Sequence, residues 1–148
     1  MMDMNKLQVS AFDIAQRYSG ISGFSGMADN PVVLAMLKLD ADWVEHDEVP
    51  WCSAFVNWIC WHLRLPRSKS LAARSWLGIG RPVALWDARA ENDVVILWRV
   101  KRDGWQGHVG FYAGHDADNV YILGGNQSNR VCVDSYPLDN LLGINRLT

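Results

Sequence analysis

The sequence predicts an α+β domain in which N-terminal helices pack on one face of an antiparallel sheet of about five strands. Two observations carry this. Apolar residues recur at helical spacing through the first half of the chain, whereas the second half is a series of short β-rich runs. Those runs are separated by turn residues at hairpin-like distances, which makes a meander the expected topology.

Taken in order, Leu7 to Tyr18 places Leu7, Ala11, Ile14, Ala15 and Tyr18 on one helical face, and the Gly- and Ser-rich stretch Ser19 to Gly26 ends it. Asn30-Pro31 is an N-cap followed by proline at the first helical position, opening a helix through about Leu39. Asp40 to Pro50 is an acidic loop. A third helix, roughly Cys52 to Leu63, carries Phe55, Ile59 and Leu63 on one stripe, and Pro66 stops it. Ser70 to Leu77 predicts a short fourth helix ended by Gly78 and Gly80. Strands are expected over Val94–Val100, His108–Ala113, Asn119–Leu123 and Arg130–Asp134, with Asp103-Gly104 as a turn and a short last strand over Ile144–Leu147. With no repeat and no low-complexity linker, residues 1–148 read as one domain.

Composition narrows the function classes. The chain has 148 residues, 49% apolar and 20% charged, which suits a folded globular protein rather than a disordered one. A formal net charge of -2 argues against a dedicated nucleic-acid or anionic-membrane binder. No apolar run approaches the ~20 residues of a membrane span, and the N-terminal segment, with two aspartates and no continuous apolar core, does not read as a signal peptide. Synthesis in the cytoplasm followed by delivery to the site of action is therefore expected. Three cysteines without a CxxC pair predict neither a disulfide framework nor a structural zinc site. No cofactor and no metal is expected, and the protein is expected to act as a monomer.

Cys52 is the candidate nucleophile. It stands where the loop Val49-Pro50-Trp51 enters the third helix. A helix N-terminus offers unpaired backbone N–H groups and partial positive charge, which favour thiolate over thiol. The same N–H groups, here near Cys52 and Ser53, can stabilise an oxyanion. Free cysteine is also among the most buried residue types, so Cys52 alone reads equally as core, and Cys60 and Cys132 fit that role better. His108 is the candidate base. It opens a strand in Gly107-His108-Val109-Gly110, where the two glycines are expected to leave its surroundings open for substrate. His46, His62 and His115 read more simply as surface or packing residues. Asn126, at the end of the neighbouring strand, is the candidate orienter of the imidazole, with Gln127 as the alternative.

Several segments together resemble a known family. Asp47-Glu48-Val49-Pro50-Trp51-Cys52-Ser53-Ala54-Phe55-Val56-Asn57-Trp58 is similar to the nucleophile motif of the CHAP/NlpC group of papain-like cysteine peptidases, small phage and bacterial cell-wall hydrolases. Ser70-Leu71-Ala72-Ala73-Arg74-Ser75-Trp76, Asp93 to Trp98, Gly107 to Tyr112 and Leu123 to Asn129 follow in the family's order. One departure is Glu91-Asn92-Asp93 where such proteins often have Pro-Gly-Asp, which is expected to alter a turn and leave the chemistry untouched.

The resemblance implies a papain-like fold, bacterial peptidoglycan as partner, and Cys52, His108 and Asn126 as catalytic residues. The implied reaction is cleavage of a cell-wall amide through a thioester, either at the sugar–peptide bond or within the stem or cross-link. Trp51, Trp105, Tyr112 and Gln127 are candidates for contact with substrate. The acidic stretch Asp40, Asp42, Glu45, Asp47 and Glu48 has enough carboxylates to suggest calcium but lacks EF-hand spacing, so a solvated rim is expected. The rival readings are an idle papain-like module of a phage particle and a protein-directed protease or deamidase. Delivery is equally open between an endolysin, a tail-associated hydrolase and a secreted effector.

Overall fold

A computed structural model describes residues 9–23, 29–44 and 50–148. Its order is helix α1 (Ala11–Gln16), α2 (Pro31–Lys38) and α3 (Cys52–Leu63), a 3-10 helix (Ala73–Gly78), and strands β1 (Arg81–Pro82), β2 (Asp93–Trp98), β3 (Gly107–His115), β4 (Asn119–Gln127), β5 (Arg130–Pro137) and β6 (Leu141–Arg146). The expected α+β class is present, with six strands rather than about five.

Local chemistry sets the helix ends. α1 begins later than the apolar spacing predicts because Ser10 caps it. The Ser10 side chain accepts from the Asp13 N–H, and Asp13 accepts from the Ser10 N–H, a reciprocal capping box. The expected part before Val9 lies outside the described residues. α2 follows expectation, with the Asn30 side chain accepting from Val32 N–H and Pro31 opening the first turn. α3 ends at Arg64, whose left-handed backbone (φ 56) lets its N–H reach back to Cys60 and Trp61. The expected fourth helix forms as the shorter 3-10 turn.

The sheet order is β1-β6-β2-β3-β4-β5, and every pairing is antiparallel. β2 to β5 are the expected meander, but β6 returns to pair with β2 on its other side instead of extending the series past β5. The two-residue strand β1, on the edge beyond β6, had no sequence signal. Strand alternation separates two cores. Val94, Ile96, Val109, Phe111 and Leu123 face the helices, while Val95, Leu97, Tyr112, Val120 and Ile122 face away. α3 is the central helix. Its Phe55, Val56 and Ile59 are fully buried, each such side chain contributing about 1.5–3 kcal/mol. Phe55 links the layers by edge-on contacts to Tyr18 and Phe111 at 6.1 and 6.2 Å.

Two polar devices lock segments to this core. Ser53 donates to the Ser70 carbonyl (2.5 Å) and accepts from the Trp76 indole (2.9 Å), while Asn57 accepts from Lys69 N–H and donates to the Ser70 carbonyl. The segment before the 3-10 helix is thereby tied to α3. At the other end of the sheet, Asn92 accepts from Ala11 N–H (2.8 Å), so the departure at Glu91-Asn92-Asp93 anchors the start of α1. Among the described residues no helix is long and apolar enough to cross a membrane.

Candidate active site

Cys52 is the first residue of α3, and Trp51 before it provides no side-chain cap. The N–H groups of the first turn are therefore not taken by a capping side chain. Cys52 is 7% exposed and sits in the wall of a cavity of about 540 Å3. His108 and the backbone N–H groups of Val109 and Ser53 lie close enough to act electrostatically on the Cys52 thiol. β3 thus delivers the imidazole and α3 the thiol, brought together across 56 residues of chain (108 minus 52).

The protonation balance follows from burial and pairing. Burial pushes the Cys52 thiol up, but the hydrogen bond and positive charge of His108, helped by Val109 and Ser53 N–H, outweigh it, so Cys52 titrates below its ordinary value. For His108, burial favours the neutral ring. The bond and charge of Cys52, then the bond to Gln127, outweigh this against the opposing charge of Arg99, and the imidazole titrates above its ordinary value. The two shifts run in opposite directions, each toward the charged form, thiolate for Cys52 and imidazolium for His108. Cys60 is the contrast: burial pushes its thiol up to about 12, and it is an inert core residue.

The residue that holds His108 is Gln127. Its Oε1 lies 2.9 Å from His108 Nε2. Its Nε2 donates to the carbonyls of Ile122 (3.1 Å) and Cys132 (2.6 Å), which fixes the amide so that oxygen faces the ring. His108 Nε2 is then the N–H donor, and Nδ1 is left for the thiol. The expectation for Asn126 is corrected here. A bulge in β4 between Gly124 and Gln127, with Asn126 in the left-handed region (φ 59), shifts the two-residue alternation by one. Gln127 comes to the ring, whereas Asn126 makes no hydrogen bond to His108 among the described residues and lines, with His108 and Gln127, a cavity of about 330 Å3.

Other candidates divide in the same way. Trp105, 78% exposed, lines the Cys52 cavity as expected, together with Trp43, which the sequence had not singled out. Trp51 is instead buried in the helix-side core, and Tyr112 in the core on the far face, where its hydroxyl meets His115 Nδ1 at 2.6 Å. Neither can contact substrate from there. Gln127 is 2% exposed and acts on the imidazole. Gly110 does not open space for substrate either, since a Cβ there would lie 2.3 Å from Ile122 Cγ2. Asp40 is paired with Arg67 at 2.9 Å, and Glu45, Asp47 and Glu48 lie outside the described residues. No cluster of three or more possible metal ligands occurs among the described residues.

Sequence reasoning missed Tyr136. Its ring lies 5.1 Å from that of His108, tilted by 33°, and its hydroxyl is 3.3 Å from His108 Nε2. Burial, then the charge of Asp134, pushes its phenol well above the ordinary range, so it stays protonated beside the imidazole. Its only signal was position: β5 runs three residues past the expected end at Asp134, to Pro137.

Removing the Gln127 amide should separate these roles. Gln127→Ala deletes the bond that helps raise the His108 titration, and so weakens the charge that favours the Cys52 thiolate. Alkylation of Cys52 should then require higher pH. Asn126→Gly, which keeps the left-handed turn, should leave that alkylation profile unchanged; the reverse pattern in rate–pH curves would return the orienting role to Asn126.

No family model matches the chain, and no curated protein is significantly similar to it.

Proposed function

We propose that the protein is a cysteine hydrolase of the CHAP/NlpC papain-like type that cleaves an amide bond of bacterial peptidoglycan. The observation that supports this most is the chain of contacts Cys52–His108–Gln127, set at a helix N-terminus in a cavity wall. Each member has the environment its role requires. The thiol is held toward thiolate, the imidazole toward imidazolium, and the glutamine oxygen toward the ring N–H.

In this mechanism Cys52 thiolate attacks the amide carbonyl carbon, and the carbonyl electron pair moves to oxygen. N–H groups of the first turn of α3, at Cys52 and Ser53, are placed to stabilise that oxyanion as the negative charge moves from sulfur to oxygen. His108 imidazolium gives its proton to the leaving nitrogen as the C–N bond breaks, and a thioester remains. The neutral ring then takes a proton from water, which attacks the thioester, and the thiolate returns. Gln127 holds the ring through both steps, and Tyr136 covers one of its faces.

Peptidoglycan as the substrate rests on the ordered motif resemblance. Purified sacculi incubated with wild type or Cys52→Ala, with released fragments read by mass spectrometry, test it. Wild type alone should release fragments, and the new termini identify the bond. Equal release by both proteins removes Cys52 from the chemistry; release by neither favours the idle module.

A further inference from the structure

The cleft has a feature that the hydrolytic chemistry does not use. Arg99 lies just after β2 and lines both cavities, the one containing Cys52 and the one containing Asn126 and Tyr136. Its backbone is pinned by its N–H, which donates to the Gln106 carbonyl at 3.1 Å. Its side chain is exposed and, among the described residues, makes no ion pair and no hydrogen bond. Its charge nevertheless reaches the site, since it opposes protonation of His108 and stabilises the ionised form of Tyr136. The Arg99 guanidinium therefore brings a positive charge to the junction of the two cavities, and no carboxylate among the residues lining them is paired with it. A guanidinium with a free fork of N–H donors suits a carboxylate best.

We propose that Arg99 binds a substrate carboxylate next to the amide presented to Cys52, so that the cleft selects acidic peptides. The inference rests on Cys52 being the nucleophile of an amide-cleaving site, and it names the substrate feature that this site reads. An extended peptide with its scissile carbonyl at Cys52 fills both cavities and passes Arg99. The apolar wall made by Trp105, Leu71 and Val100 takes an uncharged part of the chain, and Asn126 and Asn140 line the other side.

Alkylation of Cys52 tests the carboxylate site without any assumption about the natural substrate. Iodoacetate and iodoacetamide differ by a carboxylate, and peptide mapping reads Cys52 apart from the other two cysteines. The ratio of the two rates should fall about tenfold in Arg99→Gln, as expected for a lost charge-assisted bond, with an intermediate value in Arg99→Lys. The neutral reagent corrects for any change in the thiolate itself. In parallel, a muropeptide stem with a free glutamyl α-carboxylate should be cleaved with lower KM than its carboxamide, and Arg99→Gln should erase that preference. An unchanged alkylation ratio, together with equal cleavage of both peptides by wild type, overturns the carboxylate site and leaves the hydrolase reading standing. A falling ratio with neither peptide cleaved does the opposite.

Discussion

Cys52→Ala and His108→Ala should each lower amide cleavage by about 10^3-fold or more, and the double variant should lose no more than the worse single. The two side chains act as one unit, because each supplies the interaction that sets the other's protonation state. A residue of a pair whose partner is gone has nothing left to contribute. The pH dependence makes the claim sharper. Cys52 titrates below its ordinary value, so the reactive pair forms as pH rises through that lowered value. It persists until His108, raised above its own ordinary value, gives up its proton. In wild type, alkylation by iodoacetamide should therefore continue well below pH ~8.5, the free-thiol value. In His108→Ala burial is opposed only by the Val109 and Ser53 N–H groups, and the profile should move to higher pH. A profile that is the same in both proteins would show that His108 does not activate the thiol.

Arg146→Ala should produce the largest loss of stability, about 3–5 kcal/mol, read as a lower denaturant midpoint with unchanged m-value. Asp93 is fully buried at the start of β2. Arg146 in β6 meets its two carboxylate oxygens at 2.8 and 2.9 Å and also donates to the Asp87 carbonyl. Without the guanidinium, Asp93 keeps only the Arg89 N–H at 2.8 Å, and a buried carboxylate is left uncompensated. Because the pair joins β2 to β6, its loss also weakens the strand pairing Asp93↔Arg146. A change below about 1 kcal/mol would mean that water reaches Asp93 and the pair counts as a surface bridge.

Elements governed by local chemistry were legible in the sequence. Asn30-Pro31 fixes the start of α2 through backbone hydrogen bonding, and the stripe of Phe55, Ile59 and Leu63 locates α3. The alternating runs locate β2 to β5, although several strands continue beyond their most apolar residues. Cys52 and His108 were found because each stands at an element boundary with an evident chemical use. The orienting residue was not, because period-two reasoning carries no information about a bulge, and one residue in the left-handed region exchanges Asn126 for Gln127. Trp51 and Trp105 show the same limit. Both flank candidate residues, but helix and sheet packing buries the first and leaves the second at the cavity mouth. The partnership of β6 with β2 is a non-local choice that no window of sequence encodes.

That return of the last strand has a consequence for how the protein acquires reactivity. The imidazole strand is framed by β2, and β2 is a mere edge until residues 141–146 pair with it. α3 can form early from its own periodicity, yet its thiol remains an ordinary one until strands distant in sequence have assembled. Folding is therefore expected to be limited by long-range strand closure rather than by helix formation. The fast-alkylating thiol becomes a built-in probe of the last step of that closure, and during refolding its reactivity should appear after far-ultraviolet helical signal, together with the near-ultraviolet signature of the packed tryptophans.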